Sequence, residues 1–208
     1  MTNCFKIATA NNRKMEKYLL SCQQELNNFF QITIAIPNVF LIKSRKQYDA
    51  LQKRKTENWQ VGFTQEKNIF ILDPDVFTHE SNHKNKKHFW DVLKHEYVHI
   101  AFSQATNGSG NPRWMSEGLA CFLAGQSKPD LEKENALKVF QYFAAGGKHI
   151  YALGYFWVKL LIDKFGAEKM LALIRLIGPA TTEKQFALHF HKIYGFRYSV
   201  KDFENFFS

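Results

Sequence analysis

Apolar residues follow helical spacing in the first predicted helix, which begins after Asn11 or Asn12. Residues three and four positions apart share one face of an α-helix, and an asparagine side chain can cap the start of a helix. The pattern predicts an amphipathic helix whose inner face is formed by Met15, Leu19, Cys22, Leu26 and Phe29 or Phe30.

Three short apolar segments predict β-strands. Residues 39–42 form a compact apolar run, and Ser44 is placed to cap a short helix after it. Residues 59–63 and 68–72 flank the polar residues 64–67, which is the pattern of a β-hairpin. Together these segments predict a small sheet with helices packed on it.

The rest of the chain is helical by pattern, with breaks at glycine and proline. One helix covers residues 89–102, and a second begins at Pro112 after a polar, glycine-containing connection over residues 106–111. Later helices are predicted from Pro129 and Asp130 to a stop at Gly146-Gly147, and over residues 155–165, 167–177, 182–194 and 199–207.

This order of elements predicts an α+β fold in a single domain, residues 1–208. A small mixed sheet with helices forms an α/β lobe over residues 1–104, which ends in the helix over 89–102. Residues 105–208 form an all-α lobe. With 208 residues and 45% apolar content, the chain can bury a substantial core.

Charge changes this picture little. The chain has 28 basic and 19 acidic residues, for a net charge of +9. A basic chain can favour nucleic acid or an acidic partner. The basic residues are dispersed, however, and no nucleic-acid-binding motif accompanies them, so a nucleic-acid partner is not expected.

Cysteine content and hydropathy bear on the cellular compartment. The three cysteines, Cys4, Cys22 and Cys121, have no C-x-x-C spacing, which argues against a disulfide framework and a cysteine-zinc site. Residues 1–6 lack the apolar core of a signal peptide, and no apolar run is long enough to span a membrane. We therefore expect a cytoplasmic protein, unless a leader has been removed.

The predicted helix over 89–102 contains the pattern H-E-x-x-H at His95, Glu96 and His99. Residues four apart on a helix are offset by roughly 40° and lie about 6 Å apart, so both imidazoles can bind one metal ion. Glu96 then lies beside the metal, where a carboxylate can take a proton from water. An ordinary surface histidine and a core histidine would show the same spacing.

Other histidines precede this pattern in a loop-like segment. His79, His83 and His88 could add metal ligands, but histidines on the surface are the favoured interpretation.

A catalytic zinc site takes three protein ligands and keeps one position open. The segment that begins at Pro112, 13 residues after His99, carries Glu117 at a spacing of 18 residues. Proline suits the start of a helix, and the small residues Gly118 and Ala120 allow that helix to approach another closely.

These residues resemble the signature of the gluzincin metallopeptidases, the thermolysin-like and aminopeptidase-like clan. That signature is H-E-x-x-H followed about 18 residues later by a helical glutamate in a Trp-x-x-Glu-Gly-x-Ala setting, which the chain matches from His95 to Ala120. The resemblance implies that His95, His99 and Glu117 bind Zn²⁺. It also implies that Glu96 is the general base.

A tyrosine further along the chain is a candidate for stabilising the oxyanion. Tyr151 to Tyr155 resembles the Tyr-x-x-Gly-aromatic segment of the aminopeptidase-like branch, in which the tyrosine hydroxyl has this role. Tyr151 is the first candidate, Tyr155 the second and His149 the third. A helix-start tyrosine packed on the core is the alternative for Tyr151.

The predicted function is zinc-dependent hydrolysis of peptide bonds in a peptide or protein substrate. The aminopeptidase branch usually carries Gly-x-Met-x-Asn on an edge strand, whereas this chain has Gly-Phe-Thr-Gln-Glu at residues 62–66, which favours an endopeptidase. Two alternatives stay open. One is a non-catalytic interaction protein whose zinc joins two helices, and the other is a zinc hydrolase acting on another amide, such as cell-wall peptide.

Overall fold

A computed structural model describes residues 12–129, 131–147 and 149–207 of the chain. The fold is mixed α+β, with many helices and a small sheet. The strands are β1 (Asn38–Ile42), β2 (Gly62–Gln65) and β3 (Asn68–Leu72). The α-helices are α1 (Arg13–Phe30), α2 (Arg45–Gln52), α3 (Pro74–Phe77), α4 (Lys87–Ala105), α5 (Arg113–Leu123), α6 (Lys133–Ala136), α7 (Ile150–Phe165), α8 (Ala167–Ile174), α9 (Glu183–Tyr194) and α10 (Val200–Glu204).

Helix α1 confirms the amphipathic pattern. The side chain of Asn12 accepts a hydrogen bond from the backbone nitrogen of Met15 at 3.0 Å, which caps the helix. The other predicted cap, Asn11, lies outside the described residues. Phe30 is buried, whereas Phe29 is only partly buried, so Phe30 belongs to the inner face.

The sheet is mixed, with strand order β1-β3-β2. β1 pairs with β3 in parallel, and β2 pairs with β3 antiparallel as the predicted hairpin. Within the part of the chain that the structure describes, β2 is therefore an edge strand. The rings of Phe40, Phe70 and Phe63 stack in sequence across one face of the three strands.

β2 begins at Gly62, not at residue 59 as predicted. Arg45 holds the preceding segment in an irregular conformation. Its guanidinium donates hydrogen bonds to the backbone carbonyls of Gln60, Asn58 and Glu80. Carbonyls bound by this side chain are not available to continue the strand.

The helix predicted from Pro129 and Asp130 is wrong in extent. Asp130 lies outside the described residues, α6 begins at Lys133, and a 3-10 helix covers Leu137–Tyr142. The change of helix type falls at Ala136, whose carbonyl accepts a hydrogen bond of 2.8 Å from the indole of buried Trp157. A carbonyl drawn toward a side chain is poorly aligned to continue an α-helix.

Two later helix boundaries also differ from the prediction. α7 begins at Ile150 instead of residue 155, so Tyr151 lies in its first turn. α8 ends at Ile174 instead of 177, and the chain continues in tighter turns, with Ile177 donating to the carbonyl of Ile174 at 3.0 Å. A second 3-10 helix, Asn205–Phe207, completes the predicted helix over 199–207.

Glycines permit an unusually close crossing of α5 and α7. A Cβ added at Gly118 would lie 2.2 Å from the carbonyl oxygen of Gly154, and one added at Gly154 would lie 2.1 Å from that of Trp114. Both distances are far inside van der Waals contact, so only glycine fits at either position. The predicted close approach at Gly118 is confirmed, and its partner is Gly154.

Gly154→Ala is expected to destabilise the fold by about 3 kcal/mol or more, because the new methyl group meets rigid backbone and the helices must separate. Urea unfolding measures the change in the free energy of unfolding. Gly178→Ala is the matched control, since a Cβ there meets nothing within 4 Å. Equal stability of Gly154→Ala and the unmodified chain would show that the crossing is not constrained in this way.

The buried side chains of both halves form one hydrophobic core, which runs from Met15 on α1 to Phe203 on α10. The division into lobes at residues 104 and 105 stays a prediction. Cys22 and Cys121 are buried free thiols, and Cys4 lies outside the described residues. Within the described ranges, no helix has the length and apolar character to cross a membrane.

Candidate metal centre and its cavity

Helices α4 and α5 bring the predicted metal ligands together. His95 and His99 project from α4 toward Glu117 on α5, and His95 and Glu117 are both buried. Both helices are held in place by apolar side chains that are fully buried around the site, among them Leu93, Met115 and Leu119. The ligand positions therefore depend on core packing and not on a surface loop.

Three ligand-type atoms converge between the two helices. Nε2 of His95 and Nε2 of His99 lie 3.2 Å apart. Oε2 of Glu117 lies 3.4 Å from the first nitrogen and 3.2 Å from the second. Bonds of about 2.0 Å at tetrahedral angles would separate neighbouring ligand atoms by about 3.3 Å. The triangle thus has the dimensions of one face of a tetrahedral metal site.

His95 and His99 are each oriented by a neighbouring side chain that contacts the other ring nitrogen, Nδ1. Nδ1 of His95 lies 3.1 Å from Oε1 of Gln126, and Nδ1 of His99 lies 3.0 Å from Oγ of Ser116. An amide oxygen only accepts hydrogen bonds, so His95 carries a proton on Nδ1 and donates it to Gln126. A hydroxyl oxygen can accept from His99 in the same way. Both Nε2 lone pairs are then directed at the centre of the triangle, as metal-ligating histidines require.

The two carboxylate oxygens of Glu117 have different surroundings. Oε1 accepts a hydrogen bond of 3.2 Å from the Arg113 guanidinium one turn earlier on α5. Oε2 is buried and has no hydrogen-bond partner, although it is the atom that faces the histidines. A buried carboxylate oxygen without a donor is costly unless a cation lies beside it. The donor set, two imidazoles and a carboxylate, matches what zinc accepts.

The groups of the cluster shift each other's pKa values in opposite directions. Burial raises the pKa of Glu117, but His99 and His95 outweigh burial and hold this pKa well below its usual range. Burial also lowers the pKa of His95, yet Cys121 and Glu117 outweigh it and raise this pKa well above 6.5. In the metal-free chain, a proton on His95 therefore competes with a metal ion for the same site.

Zinc affinity is accordingly expected to rise with pH across the range from about 5 to 8, by up to about tenfold per unit for each proton displaced. The sign follows from the raised pKa of His95: below that pKa zinc must expel a bound proton, and above it there is none to expel. Zinc titrations monitored by calorimetry at several pH values measure the slope. Affinity that is independent of pH over this range would contradict the assignment of His95 as a ligand.

Glu96 lies beside the cluster against β2. A Cβ added at Gly62 would come within 3.2 Å of Oε1 of Glu96, so any other residue at position 62 would crowd this carboxylate. Burial raises the pKa of Glu96; His99 and His95 act against the rise, and Glu117 adds to it. The carboxylate is thus next to the ligands but separate from the triangle of ligand atoms.

Tyr151 lies near the cluster and lines the cavity beside it, whereas the other two candidates do not line that cavity. Its ring centroid is 6.0 Å from that of His95 and 5.7 Å from that of Trp59. Tyr155, one turn further along α7, lies beside Phe122 and borders a different cavity. His149 is exposed and does not line the cavity at His95.

A cavity of about 770 Å³ opens next to the cluster. His95, Glu96, Tyr151 and Gly62 line its inner part. The cavity is large enough to receive several residues of a peptide, since ligand pockets commonly measure about 300–1,000 Å³. It brings the candidate ligand His95, the carboxylate of Glu96 and the Tyr151 ring to one solvent-accessible space.

The other predicted histidines are not part of the ligand cluster. Among the described residues, the His95, His99 and Glu117 group is the one set of three metal-binding side chains that converge. His79 is exposed, and His83 and His88 line the outer part of the cavity.

Sequence reasoning missed the side chains that orient the ligands, namely Ser116, Gln126 and Arg113. Ser116 and Arg113 lie on the helix that carries Glu117, and the spacing of four between Arg113 and Glu117 is a detectable signal for an ion pair. Gln126 follows a turn at Gly125, whose φ is +69°, and no periodic pattern marks its return to His95. Comparison of the chain with protein-family models, curated proteins and solved structures yields no match.

Proposed function

We propose that this protein is a zinc-dependent peptidase of the gluzincin type, and an endopeptidase. The observation that carries the proposal is the triangle of His95, His99 and Glu117 ligand atoms with the carboxylate of Glu96 beside it in an open cavity. A purely structural zinc site has no need of a buried carboxylate next to the ligands, nor of access from solvent.

The roles of the chain's residues follow from their positions. His95, His99 and Glu117 hold the zinc, which when bound supplies a Lewis acid for the scissile carbonyl and for water. Glu96 takes the proton of the attacking water, and burial has already raised its pKa toward the neutral range in which a general base works best. The same carboxyl group then has a proton to give to the leaving amine.

Tyr151 is the proposed donor to the oxyanion. Burial raises the pKa of Tyr151, and the charges of Glu117 and Glu96 raise it further, so its hydroxyl stays protonated at neutral pH. A protonated hydroxyl can donate a hydrogen bond to an oxygen that gains negative charge.

The edge strand supports an endopeptidase. β2 has β3 on one side, and it borders the cavity through Gly62. On the other side of β2 the carbonyl of Gly62 accepts a hydrogen bond of 2.8 Å from the Tyr48 hydroxyl. The remaining main-chain groups on that side can pair with an extended peptide, which places no requirement on a free terminus. Residues 62–66 lack the Met and Asn with which the aminopeptidase branch holds a free amine.

The decisive experiment measures zinc content and cleavage of a peptide library on one purified sample, with and without chelator. We expect one zinc per chain and internal cleavage that stops on chelation and returns with zinc. Bound zinc without cleavage of any peptide would favour the non-catalytic interaction protein. Cleavage of cell-wall peptide alone would favour the other amide hydrolase.

Tyr151→Phe is expected to lower turnover by about a hundred- to a thousandfold, because it removes one hydrogen bond to the oxyanion. Zinc content and thermal stability should barely change, since the ring and its packing against Trp59 remain. Steady-state kinetics measure the loss in kcat against KM. Tyr155→Phe is the matched control and should leave turnover unchanged. If both variants behaved alike, Tyr151 would not be the donor.

A further inference from the structure

The cavity extends along α4 beyond the metal ligands. Three of its lining residues, His95, Val92 and His88, are spaced by three and four residues and so follow one face of the helix. Seven residues of α-helix span about 10 Å. His88, an exposed residue at the outer end of this row, therefore lies about 10 Å along the helix from His95.

Basic side chains gather at this outer end. Lys87, His88, His83 and Lys128 all line the cavity, and we call these four residues the basic rim. The rings of His83 and His88 lie 5.7 Å apart. Burial lowers the pKa of His83, and the nearby His88 and Lys128 lower it further. Lys128 therefore lies close to His83.

The lysines of the basic rim are not neutralised by nearby acids. Apart from Glu96, the acidic residue that lines the cavity is Asp91. Across residues 12–129, 131–147 and 149–207, no ion pair within 4 Å joins a carboxylate to Lys87 or Lys128. The four side chains of the basic rim thus line one space, and Asp91 is the one carboxylate among the described residues that lines it at this end.

We propose that the basic rim binds an acidic side chain of the peptide substrate, about three residues from the scissile bond. The inference rests on the proposed peptidase function. An extended peptide advances about 3.3 Å per residue, so three residues cover the 10 Å from the cluster to the rim. A carboxylate there meets Lys87 and Lys128 in a partly enclosed space, where charge pairs are screened less than on open surface.

A peptide fits these observations better than a nucleic acid does. The basic rim lies in the same cavity as Gly62 of the edge strand β2 and the Trp59 and Tyr151 rings. Main-chain pairing with a strand selects a peptide. Elsewhere the basic residues are dispersed, so they form no continuous track for a phosphate backbone.

The test is a binding measurement that does not depend on turnover. Zinc-loaded Glu96→Gln chain is titrated into three dye-labelled eight-residue peptides that differ only in two positions, occupied by glutamate, glutamine or lysine. Fluorescence anisotropy gives the affinities. We expect the glutamate peptide to bind about fivefold or more tightly than the glutamine peptide at low salt, and the difference to vanish at about 0.5 M salt.

Charge-reversed variants locate the binding site. Lys87→Glu combined with Lys128→Glu should abolish the preference for glutamate and favour the lysine peptide. The control combines Lys17→Glu with Lys46→Glu, which makes the same change in net charge at exposed positions outside the cavity and should keep the preference. Equal loss in both double variants would attribute the effect to net charge and overturn the proposal.

Other outcomes separate this inference from the proposed function. Cleavage by the unmodified chain with no enrichment of acidic residues near the third position, and no preference in binding, would overturn the basic rim alone. A preference for glutamate in binding, without cleavage of any peptide, would overturn the peptidase function and keep the basic rim as an acidic-peptide site. A single-stranded oligonucleotide that displaced the glutamate peptide at equal charge would overturn the choice of a peptide ligand.

Discussion

Glu96→Gln is expected to remove most peptide cleavage, by about a hundred- to ten-thousandfold, while zinc stays bound. The amide keeps the size of the side chain and its contact with β2 at Gly62, but it cannot accept a proton from water. Zinc affinity should hold because Glu96 lies outside the triangle formed by His95, His99 and Glu117.

Turnover and zinc content are measured on the same preparations, with Glu16→Gln on the exposed face of α1 as the control. Unchanged cleavage in Glu96→Gln would show that another group acts as the base. Loss of zinc instead would show that the two glutamates, Glu96 and Glu117, have been assigned the wrong roles.

Glu117→Ala is expected to have the opposite effect and to weaken zinc binding by more than about a hundredfold, which exceeds the usual effect of changing a residue that only hydrogen-bonds to a metal ligand. The variant leaves two histidines and lacks the carboxylate that completes the triangle. Cleavage should fall in parallel with zinc occupancy and recover in part when zinc is raised.

Elemental analysis after dialysis measures the zinc content of Glu117→Ala, and circular dichroism checks that the helices remain. Glu134→Ala is the matched control, because Glu134 is an exposed helical glutamate far along the chain from the cluster. Full zinc content and affinity in Glu117→Ala would rule Glu117 out as a ligand.

The convergence of His95, His99 and Glu117 could be predicted from sequence because helix geometry converts spacing into position. His95 and His99 share a face of α4 whatever surrounds them, and Glu117 follows from a motif on a second helix. The interactions that orient these ligands were less predictable. Gln126 reaches His95 only because the chain turns back at Gly125, and such a long-range return has no local period.

The errors in the predicted fold have a common cause. The predicted helix over 155–165 begins after Gly154, whereas in the fold Gly154 lies inside α7, where its missing Cβ admits the backbone of α5. The carbonyl of Ala136 changes the type of helix through a bond to distant Trp157, and Arg45 shortens β2 in the same manner. Tertiary contacts overrode local propensity at each of these places.

The sequence positions of the site imply an order in which it is completed during synthesis. Every proposed ligand, and the side chains that orient them, lies between His95 and Gln126. Tyr151 arrives later on α7, and it reaches the cavity only when Gly154 docks against Gly118. The proposed ligands are thus synthesised before α7, the helix against which α5 packs at Gly118. We therefore expect the ligand triangle and the side of the cavity that carries Tyr151 to become fixed together, once α7 has been made.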